Sequence, residues 1–410
     1  MPQIRESLLR TVDRTAELVG LSPHLNVDAI LKEALHESGR TTFSRTQFVE
    51  PLRRLVAAYE GEADLSTFGR LAARFDILRA LRNLLRFDQE EEANPDITLR
   101  TIARPVFIMG LPRSGTTFLH MLMACDPNNI VPRAWQLIYP YPERDPKVSR
   151  QRVERQFWIF RHLSPGLEGM HPLFANAPQE CTDITSQVFQ SLRFDTTHRI
   201  PSYQSWIDSY GHLEAFRFHK RFLQHLDAQA PGHRWILKCP DHLFTLDAIL
   251  SVYPDAYIVI LHRDPLNVLA SVAKLTDILR RPFTRYVDRI AIGHEVSERW
   301  AEGANRMVSL KREGGDNILH VQYNELISDP LKTLHKVYDH CGIALGSEVG
   351  ERMISYIDTH PRGGYHEHKY SLAEYGLDAA QLRLRFARYT DEFGIAPGNR
   401  MISMPSQDAA

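Results

Sequence analysis

The chain has 410 residues, with 49 Lys+Arg balanced by 50 Asp+Glu, a formal net charge of −1. That balance excludes a generic nucleic-acid binder, which needs a net basic face, so any phosphate chemistry must be local. Hydrophobic residues at 43% and charged residues at 24% are ordinary globular values and exclude global disorder; the length allows two or three domains, or one large α/β domain with additions.

Residues 1–100 read as a helical N-terminal extension. Leu8, Leu9, Val12 and Leu18 fall near helical spacing, and Thr67–Leu85 forms a second apolar-periodic segment. Asn26 and Ser44 are expected helix starts, since each short polar side chain can accept from free N–H groups. The acidic run Asp88–Glu92 before Asn94-Pro95 reads as a solvated linker. From about residue 101 the pattern changes. Val106–Met109 and Ala256–Leu261 are short apolar runs of strand length, and Trp235–Lys238 and Asn317–Val321 are two more. Helical segments such as Phe244–Ser251 and His294–Arg312 alternate with them. Unalternating strands interleaved with helices imply an α/β fold with a parallel sheet covered on both faces. Residues 101–410 therefore read as one α/β domain, with 130–231 a helical insertion dense in aromatic residues.

Four cysteines without CxxC or CxxH spacing form neither a disulfide framework nor a zinc site and suit a reducing compartment. MPQIRESLLR has no apolar signal region, and no apolar run approaches the ~20 residues of a membrane helix. A cytoplasmic protein without a membrane span is expected.

Three stretches carry chemistry. Gly110-Leu-Pro112-Arg113-Ser114-Gly115-Thr116-Thr117 follows a strand and opens a helix, with the Gly-x4-Gly spacing of a phosphate-cradling loop. Thr116 occupies the position where a Walker A loop carries Lys, which points away from a magnesium-bound γ-phosphate. Arg263 and Ser271 lie at the carboxyl end of a strand and two turns into the next helix, placed for a second anionic group. Lys238 and His242 put a cation and a titratable imidazole in one short loop, and the imidazole is a candidate proton acceptor.

These stretches resemble the sulfotransferases that use 3′-phosphoadenosine 5′-phosphosulfate (PAPS), in particular the bacterial branch whose loop begins Gly-x-Pro-Arg-Ser-Gly-Thr-Thr. The resemblance spans roughly residues 100–380 and implies a P-loop-type parallel sheet flanked by helices. It implies that Gly110–Thr117 holds the 5′-phosphosulfate, that Arg263 and Ser271 hold the 3′-phosphate, and that Tyr323 lies near the adenine. Arg362-Gly363-Gly364 resembles the C-terminal loop that closes over the 3′-phosphate. Lys238 and His242 resemble the family's Lys-Thr-His with two extra residues between them. Other branches use a Glu as base, which makes Glu180, in Ala177-Pro-Gln-Glu-Cys, the reserve candidate, and the resemblance puts residues 130–231 on the acceptor side. The implied activity is sulfuryl transfer from PAPS to a hydroxyl or amine of a small molecule or lipid, with Arg113 and Lys238 on the phosphosulfate and no metal expected. Two alternatives remain open: a P-loop nucleoside-triphosphate-dependent kinase and a non-catalytic nucleotide-binding scaffold.

Overall fold

The computed structural model describes residues 24–141, 145–171, 173–360 and 371–395. Arg362, Gly363 and the helical pattern around Leu8–Leu18 lie outside them. Five strands, β1 (Val106–Gly110), β2 (Asn129–Ile130), β3 (Arg234–Lys238), β4 (Tyr257–His262) and β5 (Ile318–Gln322), form one sheet in the order β2-β3-β1-β4-β5. Every pairing is parallel. All carboxyl ends therefore open on one rim, where ligands of such sheets gather. Helices of eight residues or more are numbered α1 (Val27–Ser38), α2 (Val49–Gly61), α3 (Thr67–Ala93), α4 (Thr116–Met123), α5 (Pro146–Leu163), α6 (Pro201–Tyr210), α7 (Leu213–Gln229), α8 (Pro265–Arg280), α9 (Arg289–Glu313), α10 (Pro330–His340) and α11 (Ser347–Thr359).

β1 is buried on both faces, which is why its sequence shows no polar alternation. Phe107 and Met109 join one core with Phe222, Leu237 and Phe244, while Val106 and Ile108 join a second with Leu119, Val259 and Leu334. Leu52, Leu81 and Phe87 of α2 and α3 sit in the first of these cores, so the N-terminal helices share their apolar interior with the sheet.

Local signals place several boundaries. Asn26 caps α1 by accepting from Ala29 N at 2.9 Å, and Asp264 caps α8 by accepting from Leu266 N at 3.0 Å, with Pro265 at the first helical position. Ser44 does not start a helix; α2 begins at Val49 after Phe48. Asp88–Glu92 is not a linker either, but the end of α3. Asp88 and Glu91 accept from Arg221 of α7 at 2.7 and 2.5 Å and from Arg45 at 3.0 and 2.8 Å, and these paired charges bury Asp88 to 5% exposure. Between β2 and β3 the described residues are helices and loops.

Candidate active site

The anion loop is built by backbone conformations that its sequence makes affordable. Gly110 ends β1 with φ 144°, and a Cβ there would stand 2.3 Å from Leu261 O of β4. Only glycine permits that approach. Ser114 N donates to Leu111 O at 3.2 Å, closing the turn. Arg113 (φ 64°) and Gly115 (φ 93°) are both left-handed, a curl that aims successive N–H groups at one point. α4 then begins at Thr116 with its first N–H groups directed into the same space. Ser114 and Thr116 are buried, while Pro112, Arg113 and Thr117 are half-buried. The Ser114 hydroxyl has no hydrogen-bond partner.

The second station stands beside the first because β1, β4 and β5 end together. Arg263 follows β4, donates from Nη1 to Arg113 O, and lays its guanidinium 4.0 Å from the Tyr323 ring centroid. Tyr323 opens the turn after β5 and its ring edge would lie 3.2 Å from a Cβ on Gly115. Ser271, on α8, is 3% exposed with an unpartnered hydroxyl. Behind this rim, His262 Nδ1 meets the Tyr389 hydroxyl at 3.2 Å, and Tyr389 donates to Arg263 O at 3.5 Å, so the C-terminal segment braces Arg263.

The third group departs from the sequence reading. Lys238 is the last residue of β3, in register with Ile108, and its Nζ lies 2.5 Å from Glu180 Oε1. The segment carrying Glu180 is hung on the sheet edge by Gln179 N to Pro132 O at 2.9 Å and Cys181 N to Lys238 O at 3.2 Å. Lys238 is 3% and Glu180 27% exposed at the side chain. Burial opposes ionisation of Glu180, but Lys238 foremost, then His171 and the Cys239 thiol, hold its carboxyl below the usual range.

His242 does not join this group. Its ring packs 5.2 Å from Phe107 and 5.8 Å from Phe216, and it is 3% exposed. Phe107 leaves β1 on the face opposite to Ile108, the register partner of Lys238, because neighbouring side chains alternate across a strand. The two extra residues in Lys238-Cys-Pro-Asp-His242 carry the chain through a 3-10 turn, Pro240–Phe244, that turns the imidazole into the core. Burial, then the neighbouring His219 and Lys238, press its pKa well below the ordinary value.

Two residues absent from the sequence reading stand here instead. Asp241 lies with Glu180 around the Cys239 thiol, whose Sγ is 3.7 Å from Glu180 Oε2 and 3.8 Å from Asp241 Oδ2. Burial first, then repulsion from Glu180, push Asp241 up to about 7. His171 follows the Leu167–Met170 turn, whose Met170 O accepts from Arg113 Nη1 at 2.8 Å. Burial lowers His171 to about 4, with Lys238 and Arg113 adding to the effect and Glu180 opposing it. Only the position of Asp241 between Lys238 and His242 could have flagged it; nothing marks His171 among the 19 histidines.

Among the described residues, no group of three or more His, Cys, Asp and Glu is placed to hold a metal ion. The model of the sulfotransferase family matches residues 105–347, more than half of the chain. The omega-hydroxy-beta-dihydromenaquinone-9 sulfotransferase of Mycobacterium bovis is 26% identical over 307 residues, 70% of this chain and 72% of that protein. A sulfotransferase crystal structure from Mycobacterium tuberculosis H37Rv superposes with a TM-score of 0.78 at 29% identity, over 89% of this chain and 99% of that one. One from Mycobacterium avium gives 0.80 at 26% identity, over 91% and 98%. The kinase and scaffold alternatives lapse with these likenesses. A match that opens one residue before the strand of the anion loop, on a fold shared along about nine-tenths of the chain, makes this protein a member of the sulfotransferase family and a sulfuryl-transferring enzyme.

Proposed function

We propose that the enzyme transfers the sulfuryl group of PAPS to a hydroxyl of an apolar, lipid-like acceptor, with Glu180 as the base. The observation that carries the donor half is the pair of buried, unpartnered hydroxyls, Ser114 Oγ and Ser271 Oγ, one at each anion station. Buried hydroxyls without partners are costly unless a ligand completes them. An oxyanion at each station would do so, and two stations fit a donor with both a 5′-phosphosulfate and a 3′-phosphate.

In this reading Gly110–Thr117 binds the 5′-phosphosulfate through its N–H groups, Arg113 and the Thr116 and Thr117 hydroxyls. Arg263 and Ser271 hold the 3′-phosphate, joined by Arg362 and Gly363, and Tyr323 flanks the base. The acceptor oxygen bonds to sulfur as the bond from sulfur to the phosphate oxygen breaks, leaving 3′,5′-ADP. Lys238 stabilises charge on the departing and transferring oxygens. Glu180 takes the acceptor proton. An anionic donor competes with Glu180 for the Lys238 ammonium, and a carboxylate relieved of that partner is a stronger base. No step calls on a metal.

The acceptor class rests on the menaquinone-type lipid named for the Mycobacterium bovis relative and on the aromatic residues between β2 and β3. A cytoplasmic setting accords with four free cysteines. A second reading makes Asp241 the base, favoured by its raised proton affinity near neutrality. Calorimetry with 3′,5′-ADP, AMP and ATP·Mg tests the donor, and tight binding of 3′,5′-ADP alone is expected; preference for ATP·Mg refutes it. The pH profile of kcat/KM separates the bases. Glu180 predicts no loss until below the ordinary carboxylate range, whereas Asp241 predicts a fall below about 7.

A further inference from the structure

α5 is an outlying helix with an unusual charge and an unpartnered side. It carries Lys147, Arg150, Arg152, Arg155 and Arg161 against one acid, Glu154, in a chain whose net charge is −1. Only Ser149 and Val153 are buried on it. Its outer side shows two adjacent stripes at helical spacing, Val148/Arg152/Arg155/Ile159 and Lys147/Gln151/Trp158/His162. Val148, Trp158 and Ile159 are 58%, 56% and 49% exposed, and Phe174, beneath the Arg161 guanidinium, is 56% exposed.

Exposed Trp and aliphatic side chains interleaved with cations are costly against water and suited to a headgroup layer. There indole sits at the polar boundary and long basic side chains reach lipid phosphates. The excess positive charge of α5 complements a polyanionic plane. Its place in the fold is also apt. Glu154 Oε2 accepts from Ala175 N at 2.9 Å and Arg161 Nη1 donates to Leu173 O at 2.6 Å. These bonds tie α5 to the segment that leads into Glu180.

We propose that α5 and Phe174 form a docking face for an anionic phospholipid bilayer, met with the helix lying in the interface. Trp158, Ile159, Val148 and Phe174 enter the headgroup boundary, and Lys147 and Arg155 pair with lipid phosphates. The inference goes beyond sulfuryl transfer and requires neither donor nor acceptor, so its failure would leave the donor-site reading intact.

The test is sedimentation of the full chain with phosphatidylglycerol-containing vesicles and with pure phosphatidylcholine vesicles. Binding to the anionic vesicles alone, weakened by salt, is expected. Lys147→Gln with Arg155→Gln should weaken partitioning roughly 25-fold, about fivefold per cation. Trp158→Ser with Ile159→Ser should weaken it about tenfold or more. Ile354→Ser, which removes an exposed aliphatic side chain on α11, should change nothing. Circular dichroism and thermal melting confirm that each variant is folded. Equal binding to neutral vesicles, no binding to anionic ones, or binding indifferent to both double variants overturns the proposal. So does a dimer abolished by Trp158→Ser without vesicle binding, which would assign the face to a second copy of this chain.

Discussion

Replacing Glu180 by Gln separates chemistry from scaffolding, because the amide oxygen can still accept from Lys238 while the negative charge and the proton acceptor are lost. Turnover should fall roughly 10²–10⁴-fold, the usual worth of a positioned base. Affinity for 3′,5′-ADP should hold or rise, since Lys238 is released toward the donor. Stability should drop as well. Lys238 is 3% exposed, and truncating one partner of a buried pair costs about 3–5 kcal/mol. Here Glu180 keeps 27% exposure and the hydrogen bond survives, so about 1–3 kcal/mol is the reasonable range. The deficit has a pH signature. The folded carboxyl ionises below its ordinary value, so its stabilisation is complete above that value and disappears as pH falls through the folded pKa. The melting temperatures of wild type and Glu180→Gln should therefore differ at neutral pH and converge in acid. Initial-rate assays with PAPS and a lipid alcohol, calorimetry and thermal scans measure all three quantities. Near-normal turnover with intact nucleotide affinity would refute Glu180 as the base and direct attention to Asp241.

Arg263→Ala should weaken 3′,5′-ADP binding roughly 10–150-fold, the worth of a charged hydrogen bond, and AMP binding much less; equal losses for both would remove Arg263 from the 3′-phosphate. Gly115→Ala forces a side chain into φ 93° and places its Cβ 3.1 Å from Leu326 and 3.2 Å from Tyr323. That strain should cost roughly 1–3 kcal/mol and appear mainly as lost nucleotide affinity in calorimetry; unchanged affinity would mean that the loop does not hold the donor. His242→Leu keeps a comparable volume between Phe107 and Phe216, so kcat should stay within about threefold of wild type. A collapse of kcat in a variant with normal melting behaviour would restore His242 as the base.

How far the chain was legible depended on the range of the interactions involved. The cap at Asn26 was readable because a short side chain serves an N–H three residues away. The linker assigned to Asp88–Glu92 failed because charges alone read as solvated. The partners that make them helical and buried, Arg45 and Arg221, come from remote segments. The grouping of Lys238 with His242 was misleading for a related reason. Lys238 and His242 are close in sequence, yet the 3-10 turn Pro240–Phe244 lays the imidazole against Phe107 and Phe216, so nearness along the chain was no guide to a shared site. The actual partner of Lys238 lies 58 residues away.

What the sequence by itself determined is the backbone of the Gly110–Thr117 loop and the parallel sheet behind it. Gly110 and Gly115 permit a backbone closed to other residues, and doubly buried strands must be apolar throughout, so both leave their mark in consecutive letters. Only the tertiary structure decided which titratable groups stand together. Burial beside Phe107 takes His242 out, and the docking of residues 179–181 on the end of β3 brings Glu180 onto Lys238. Proton affinity depends on the neighbours that the fold supplies, and those neighbours are not written beside the residue in the chain.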